Sequence, residues 1–410
     1  MKMRTILVIG FSAVTLFAYN NCGKNGFENA VPTGNDTTVA TGSNASPLPI
    51  AGTESNVVAI NLGCGYINEP CVSVTICTPG TSTCQTIPNV LLDTGSYGLR
   101  LFSSVVSVGL TSATIAGGTM AECVSYADGT SQWGPVKSAD VILGSERASN
   151  VPIQIVDSTF GTLPSDCTQP DTSPSAAGYN GILGVGVFTD DCGNTCATVA
   201  NNRVYFTCNG STCTSTTVPI AQQVSNPVSF LPTDNNGVAL QFPSISSNGV
   251  TSLSGWMVLG IGTQSNNIPS GVHFFQADGN GYFQTTFNGS TSTSSFIDSG
   301  SNGLFFPGSS VLASCSSSGV ASGFFCPSSL TTLSAIQAGS GGSPQVSVSF
   351  LIMNAETAFA SSNPNIIFND VGGNFSGSFD WGLPFYLGRT IFSGIDGKTS
   401  SLGTGPYWAW

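Results

Sequence analysis

The chain has 410 residues, of which 40% are hydrophobic and only 7% charged, with 50 glycines. So much apolar content excludes a disordered polymer, and the length accommodates two lobes of roughly 150 to 200 residues. Nine Lys and Arg against 21 Asp and Glu leave a formal charge of −12, which excludes the basic surface of a nucleic-acid-binding protein.

Lys2 and Arg4 form a basic head, Thr5 to Ala18 an apolar stretch too short to span a bilayer comfortably, and Cys22 follows. This pattern predicts a signal peptide over 1–21, with Cys22 lipidated as the first mature residue. Tyr19, Asn20 and Asn21 depart from a small-residue lipobox, so secretion without a lipid is the alternative. Residues 22–54 read as a flexible polar tether. Their one basic residue is Lys24. The product is an exported envelope lipoprotein, facing the periplasm or the cell surface, with a membrane partner only through Cys22.

From residue 55 onward, short runs of Val, Ile, Phe and Thr are broken by Gly, Asn and Pro. These predict many β-strands, with few and short helices because no long 3.6-residue period appears. The first lobe is expected over 55–240 and the second over 241–410. The stretch DCGNTCATVANNRVYFTCNGSTC reads as a disulfide-stapled insertion in the first lobe. Removing Cys22 from 13 cysteines leaves an even number, as an oxidising compartment favours. Neighbours in sequence are Cys64 and Cys71, Cys77 and Cys84, Cys192 and Cys196, Cys208 and Cys213, and Cys315 and Cys326. Cys123 and Cys167 remain, and spacing alone does not settle connectivity. With one histidine and no repeated zinc spacing, no metal or other cofactor is expected. His273 reads as a surface or satisfied histidine, and no GxSxG-like elbow points to a serine triad.

Two stretches carry chemistry: VLLDTGSYGL around Asp93 and FIDSGSNGLFF around Asp298. Each offers a carboxylate after two large apolar residues, followed by Thr or Ser, Gly and Ser. An isolated Asp-Ser/Thr-Gly is usually a turn; a duplicated one suggests two carboxylates brought together. Ile182-Leu183-Gly184 and Tyr386-Leu387-Gly388 follow the two motifs at nearly equal distances, which predicts a degenerate internal repeat.

On these residues the chain resembles pepsin-like aspartic peptidases, and more closely a group of bacterial secreted pepsin-like proteins of unknown function. The similarity covers most of 56–410. It implies a mostly β, bilobal fold, with two related barrel-like lobes and a cleft between them. Asp93 and Asp298 fall at the catalytic positions, and Thr94, Gly95, Ser96, Ser299, Gly300 and Ser301 in the loops that hold them. Tyr126 falls at the flap tyrosine, with Ala127 and Asp128 beside it as substrate-binding residues. The implied activity is that of a monomeric aspartic endopeptidase acting on polypeptide. Arg100 departs from the pattern, standing where a large aromatic usually contacts the flap tyrosine; Trp133 is the candidate substitute. Arg389, after the second apolar-Gly segment, predicts a cation beside the carboxylates. Two further readings stay open: a silent scaffold that binds peptide or glycan, and a surface adhesin.

Overall fold

The computed structural model describes residues 52–410 and the backbone of Ala40–Thr41, a two-residue strand that pairs in parallel with Gln345–Ile352. Cys22, the expected signal peptide and most of the expected tether lie outside the described residues. Strand accounts for 43% of the structure and helix for 8%. The architecture is mostly β, a closed barrel and an eight-stranded sheet.

In the first lobe the strands Pro70–Cys77, Cys84–Asp93, Tyr97–Phe102, Ser131–Leu143 and Glu146–Val156 wrap into a barrel. Its core is aliphatic, with Val74, Ile76, Leu92, Leu99, Val141 and Ile153 all buried. In the second lobe Phe283–Phe287, Ser290–Ile297, Thr331–Ala338 and Gln345–Ile352 form the larger part of an eight-stranded sheet. Here the filling is aromatic: Phe379 stacks on Trp381 at 4.2 Å and on Phe306 at 5.1 Å, with Phe287 and Phe350 edge-on around them. Such rings supply large buried area where alternating strand positions rich in Ser and Thr supply little.

A six-stranded antiparallel ribbon joins the lobes. Its order is Val57–Leu62, Leu253–Leu259, Gly237–Gln241, Thr390–Gly394, Tyr407–Ala409, Phe274–Gln276. Segments from both ends of the described chain and from its middle meet in this ribbon.

Each lobe holds the same three-strand device. In the first, Gly181–Val185 lies between Cys84–Asp93, to which it is parallel, and Tyr97–Phe102, to which it is antiparallel. In the second, Asp380–Trp381 lies between Ser290–Ile297 and Leu304–Phe306 in the same two senses. The register puts Gly184 opposite Asp93, and by continuation Gly382 opposite Asp298. The second apolar-Gly partner is therefore Trp381-Gly382, not Leu387-Gly388 as the sequence spacing suggested. Tyr386 closes the short helix Leu383–Tyr386 instead.

Six disulfides join the described cysteines: Cys64–Cys71, Cys77–Cys84, Cys123–Cys167, Cys192–Cys196, Cys208–Cys213 and Cys315–Cys326. The Cys-rich insertion forms the hairpin Tyr205–Asn209/Thr212–Ser215, which pairs with the strand Gly118–Ser125.

Candidate active site

Two tight loops leave the strands ending at Asp93 and Ile297 and meet across the lobe boundary. Within each loop the carboxylate is held by the residues that follow it. The Gly95 amide donates to Asp93 Oδ1 at 2.7 Å and the Ser96 hydroxyl to Oδ2 at 2.5 Å. The Gly300 amide donates to Asp298 Oδ1 at 2.7 Å and the Ser301 hydroxyl to Oδ2 at 2.8 Å.

Between the loops the bonding is reciprocal. Thr94 N–H donates to Ser299 Oγ at 3.1 Å, and Ser299 N–H to Thr94 Oγ1 at 3.0 Å. The two hydroxyls then donate to Ile297 O at 3.1 Å and Leu92 O at 2.8 Å. Each hydroxyl thus spends its single proton on a carbonyl of the other lobe and its lone pair on the other loop's amide. Tyr386 breaks the symmetry: its phenol lies 2.7 Å from Thr94 Oγ1, and because that hydroxyl's proton is committed to Ile297, Tyr386 donates.

The glycines are required by the approach of the opposite carboxylate. A Cβ on Gly95 would stand 2.6 Å from Asp298 Cγ, and one on Gly300 2.7 Å from Asp93 Oδ1. A Cβ on Gly300 would also lie 3.2 Å from Asp298 Oδ1, so the two carboxyls converge on one point. Asp93 is only 6% exposed. Its carboxyl is pushed well above the usual carboxylate range by burial first, then by the charge of Asp298 and the hydrogen bond to it; Ser96 and Gly95 oppose the shift. Two acids this close share a proton as a pair.

The strands Gly118–Ser125 and Ser131–Leu143 form a hairpin whose tip carries the expected flap residues. Tyr126 starts the turn, accepting from Gly129 N–H at 3.0 Å. Burial raises its phenol well above the ordinary value, and Asp93 is among the charges it feels. Its hydroxyl donates to Gln132 Oε1 at 3.1 Å. Ala127 and Asp128 are exposed at the tip. The Asp128 carboxylate accepts from Thr130 N–H at 2.9 Å and from its hydroxyl at 2.7 Å, capping its own turn.

Trp133 does not take the place of the missing aromatic. It points to the other side of its strand, edge-on to Phe206 at 5.4 Å, with its indole donating to Phe160 O. Gln132, one residue earlier, meets Tyr126.

Arg100 is buried in an ionic cluster that includes the flap strand's Glu122. Its guanidinium donates to Glu122 Oε1 at 2.8 Å, Asp191 Oδ2 at 2.7 Å and Tyr97 O at 2.6 Å. Tyr205 donates to Asp191 Oδ1 at 2.7 Å and accepts from Val224 N–H. Burial, followed by the nearby Glu122, raises the Asp191 carboxyl well above its usual range. Burial alone would lower the Arg100 guanidinium, but Glu122, then Tyr126 and Asp191, outweigh this and keep it cationic. Glu122, Asp191 and Tyr205 escaped the sequence reading, because the first lies in the flap strand and the others in the Cys-rich insertion.

Arg389 is likewise not beside the carboxylates. It lies over the Phe385 ring at 4.5 Å and the Trp410 ring at 5.5 Å, and burial lowers it to about 10. His273 packs edge-on against Trp410 at 5.3 Å.

One acid near the pair had no signal in the sequence. Asp380, on the strand that partners the second loop, is 5% exposed and feels Asp298, Ser301 and Asp93. Burial first, then Asp298, holds its carboxyl well above the usual range.

The geometry provides two loop-held acids that converge from the two lobes, and a hairpin whose Tyr126 feels the nearer one. No curated protein matches the chain. Among solved structures, a crystal structure of aspartic proteinase from Irpex lacteus is similar at a TM-score of 0.48 and 19% identity, over 86% of this chain and 96% of that one. A family model described as "Protein of unknown function (DUF3443)" matches residues 52–410. The chain belongs to that family.

Proposed function

We propose that this protein is an aspartic endopeptidase that hydrolyses polypeptide through Asp93 and Asp298. The observation that supports this most directly is the pair of carboxyls converging at Gly95 and Gly300, each held by its own Gly amide and Ser hydroxyl. A water held between them gives a proton to Asp298 as its oxygen attacks the scissile carbonyl, while Asp93 protonates the carbonyl oxygen. The resulting diol collapses by returning a proton to the pair, and the departing nitrogen takes one. A substrate strand lies extended beneath the Tyr126 hairpin, pairing through its backbone.

The protein acts as an exported envelope lipoprotein held by a lipid on Cys22, and as a monomer. The six disulfides suit an oxidising compartment. Arg100 gives no ground for a silent scaffold, because its charge is spent on Glu122 and Asp191.

Asp298→Asn should abolish pepstatin-sensitive cleavage of an unfolded protein at acidic pH, and Asp93→Asn should do the same. Cleavage that survives either change removes the assignment. Because Asp93 must be protonated, kcat/KM should fall on the alkaline side as the shared proton leaves.

A further inference from the structure

Tyr126 begins a chain of hydrogen bonds that leads away from the carboxyl pair. Its O–H donates to Gln132 Oε1 at 3.1 Å, and Gln132 Nε2 donates to Asp171 Oδ2 at 3.4 Å. The Tyr179 hydroxyl donates to the same Asp171 oxygen at 3.1 Å. Gln132, Asp171 and Tyr179 are all buried.

Backbone contacts fix the far end of this chain. Ser131, the residue before Gln132, donates its N–H to Gln169 O at 3.2 Å and its hydroxyl to Thr168 O at 2.6 Å. Asp171 N–H returns to Ser131 O at 2.8 Å. The disulfide Cys123–Cys167 ties the same segment to the other strand of the hairpin. Tyr179 packs on Phe102, ring centres 6.3 Å apart, two residues before the strand Gly181–Val185 that runs beside Asp93. Tyr126 alone of the four stands at the turn.

Asp171 sets the direction of the protons. Its Oδ2 accepts from two donors and so carries no proton itself. Facing that oxygen, the Gln132 side chain has to present its NH2, because its carbonyl would meet a second acceptor there. The Gln132 carbonyl is left for Tyr126, whose single proton goes to it. Only the lone pairs of the phenol remain for another partner.

We propose that Asp171 is a positioning residue: it fixes the Gln132 amide so that Tyr126 spends its proton inward and meets the substrate as a hydrogen-bond acceptor, taking an amide N–H of the bound strand. The substrate contact rests on the peptidase reading; the direction of the phenol proton does not.

Ultraviolet resonance Raman spectra of the full chain test that direction without turnover. Subtracting the spectrum of Tyr126→Phe from that of wild type isolates the Tyr126 phenol doublet. Its lower-frequency member should dominate, as for a phenol that donates. Asn at 171 can itself donate to Gln132 Oε1 and turn the amide. In Asp171→Asn, with Tyr126→Phe again subtracted in that background, the balance should therefore move towards the higher-frequency member. An acceptor-type doublet in wild type overturns the proposal, as does a doublet that Asp171→Asn leaves unchanged. Should the variant fail to fold, the wild-type doublet decides.

Kinetics with an unfolded protein substrate test the consequence. Asp171→Asn should lower kcat/KM about tenfold, but about twofold or less when Tyr126 is already Phe. Equal losses in the two backgrounds mark a structural role and overturn the proposal. If wild type cleaves nothing, the peptidase reading fails while the doublet still decides which way the Tyr126 proton points.

Discussion

Thr94 and Ser299 hold the two lobes together at the point where the carboxylates meet, and each does so with one hydroxyl that donates across the boundary and accepts back. Thr94→Val keeps the shape but strands the Ser299 amide, the Ile297 carbonyl and the Tyr386 phenol. It should cost roughly 2–4 kcal/mol in urea unfolding, since buried partners are left unsatisfied. Gly95→Ala tests a different property. Its methyl would stand 2.6 Å from Asp298 Cγ, so the carboxyls must separate. The variant should fold but lose activity about a hundredfold or more, read as kcat at unchanged substrate. The Asp, Gly and Ser of both loops were legible in the sequence because each works through the backbone of its own loop. Asp380 and Tyr386 were not, because strand register and a helix turn, not neighbours in sequence, carry them to the pair.

The strand Tyr97–Phe102, the flap strand Gly118–Ser125 and the Cys-rich insertion are locked by Arg100, Glu122 and Asp191, all almost fully buried. Arg100→Met leaves two carboxylates without their cation. It should cost about 3–5 kcal/mol near neutral pH, as removing one member of a buried ion pair usually does. The loss should shrink as pH falls and the carboxyls take up protons. A Tm deficit equal at pH 4 and pH 7 argues that Arg100 acts by packing alone. At this scale the sequence misled in one place. Leu387-Gly388 follows Asp298 at the spacing that Gly184 keeps from Asp93, yet the second lobe reaches its partner strand six residues sooner, at Gly382. A spacing measures chain length, whereas the partner strand is chosen by which residues fill the barrel. Trp381 fills it, stacked on Phe379.

Across the whole molecule the raised acids act in one direction. Asp93, Asp191 and Asp380 are each held above the carboxylate range, burial leading in all three. Stability tied to them is complete below the range of unfolded carboxyls and drains as pH rises through their folded values. Net charge of −12 at neutral pH adds self-repulsion of the same sign. The protein should therefore unfold at a higher temperature near pH 4 than near pH 7, measured by calorimetry with disulfides intact. Cys123–Cys167 closes the longest disulfide loop, 44 residues, and ties the flap hairpin to the body. Replacing both cysteines by Ala should cost about 4 kcal/mol on the chain-entropy scale.

By itself, the sequence determined the strand-rich class, the two carboxylate loops and the cysteine supply, because these depend on local pattern and composition. Tertiary structure alone decided that Arg100 and Arg389 lie away from the carboxyls, one among acids and the other among aromatic rings. It also decided that Trp381-Gly382 partners the second loop and that Asp380 stands behind Asp298. The physical reason is the same throughout: a side chain's charge and proton depend on what burial and strand register place next to it, and those neighbours come from distant parts of the chain.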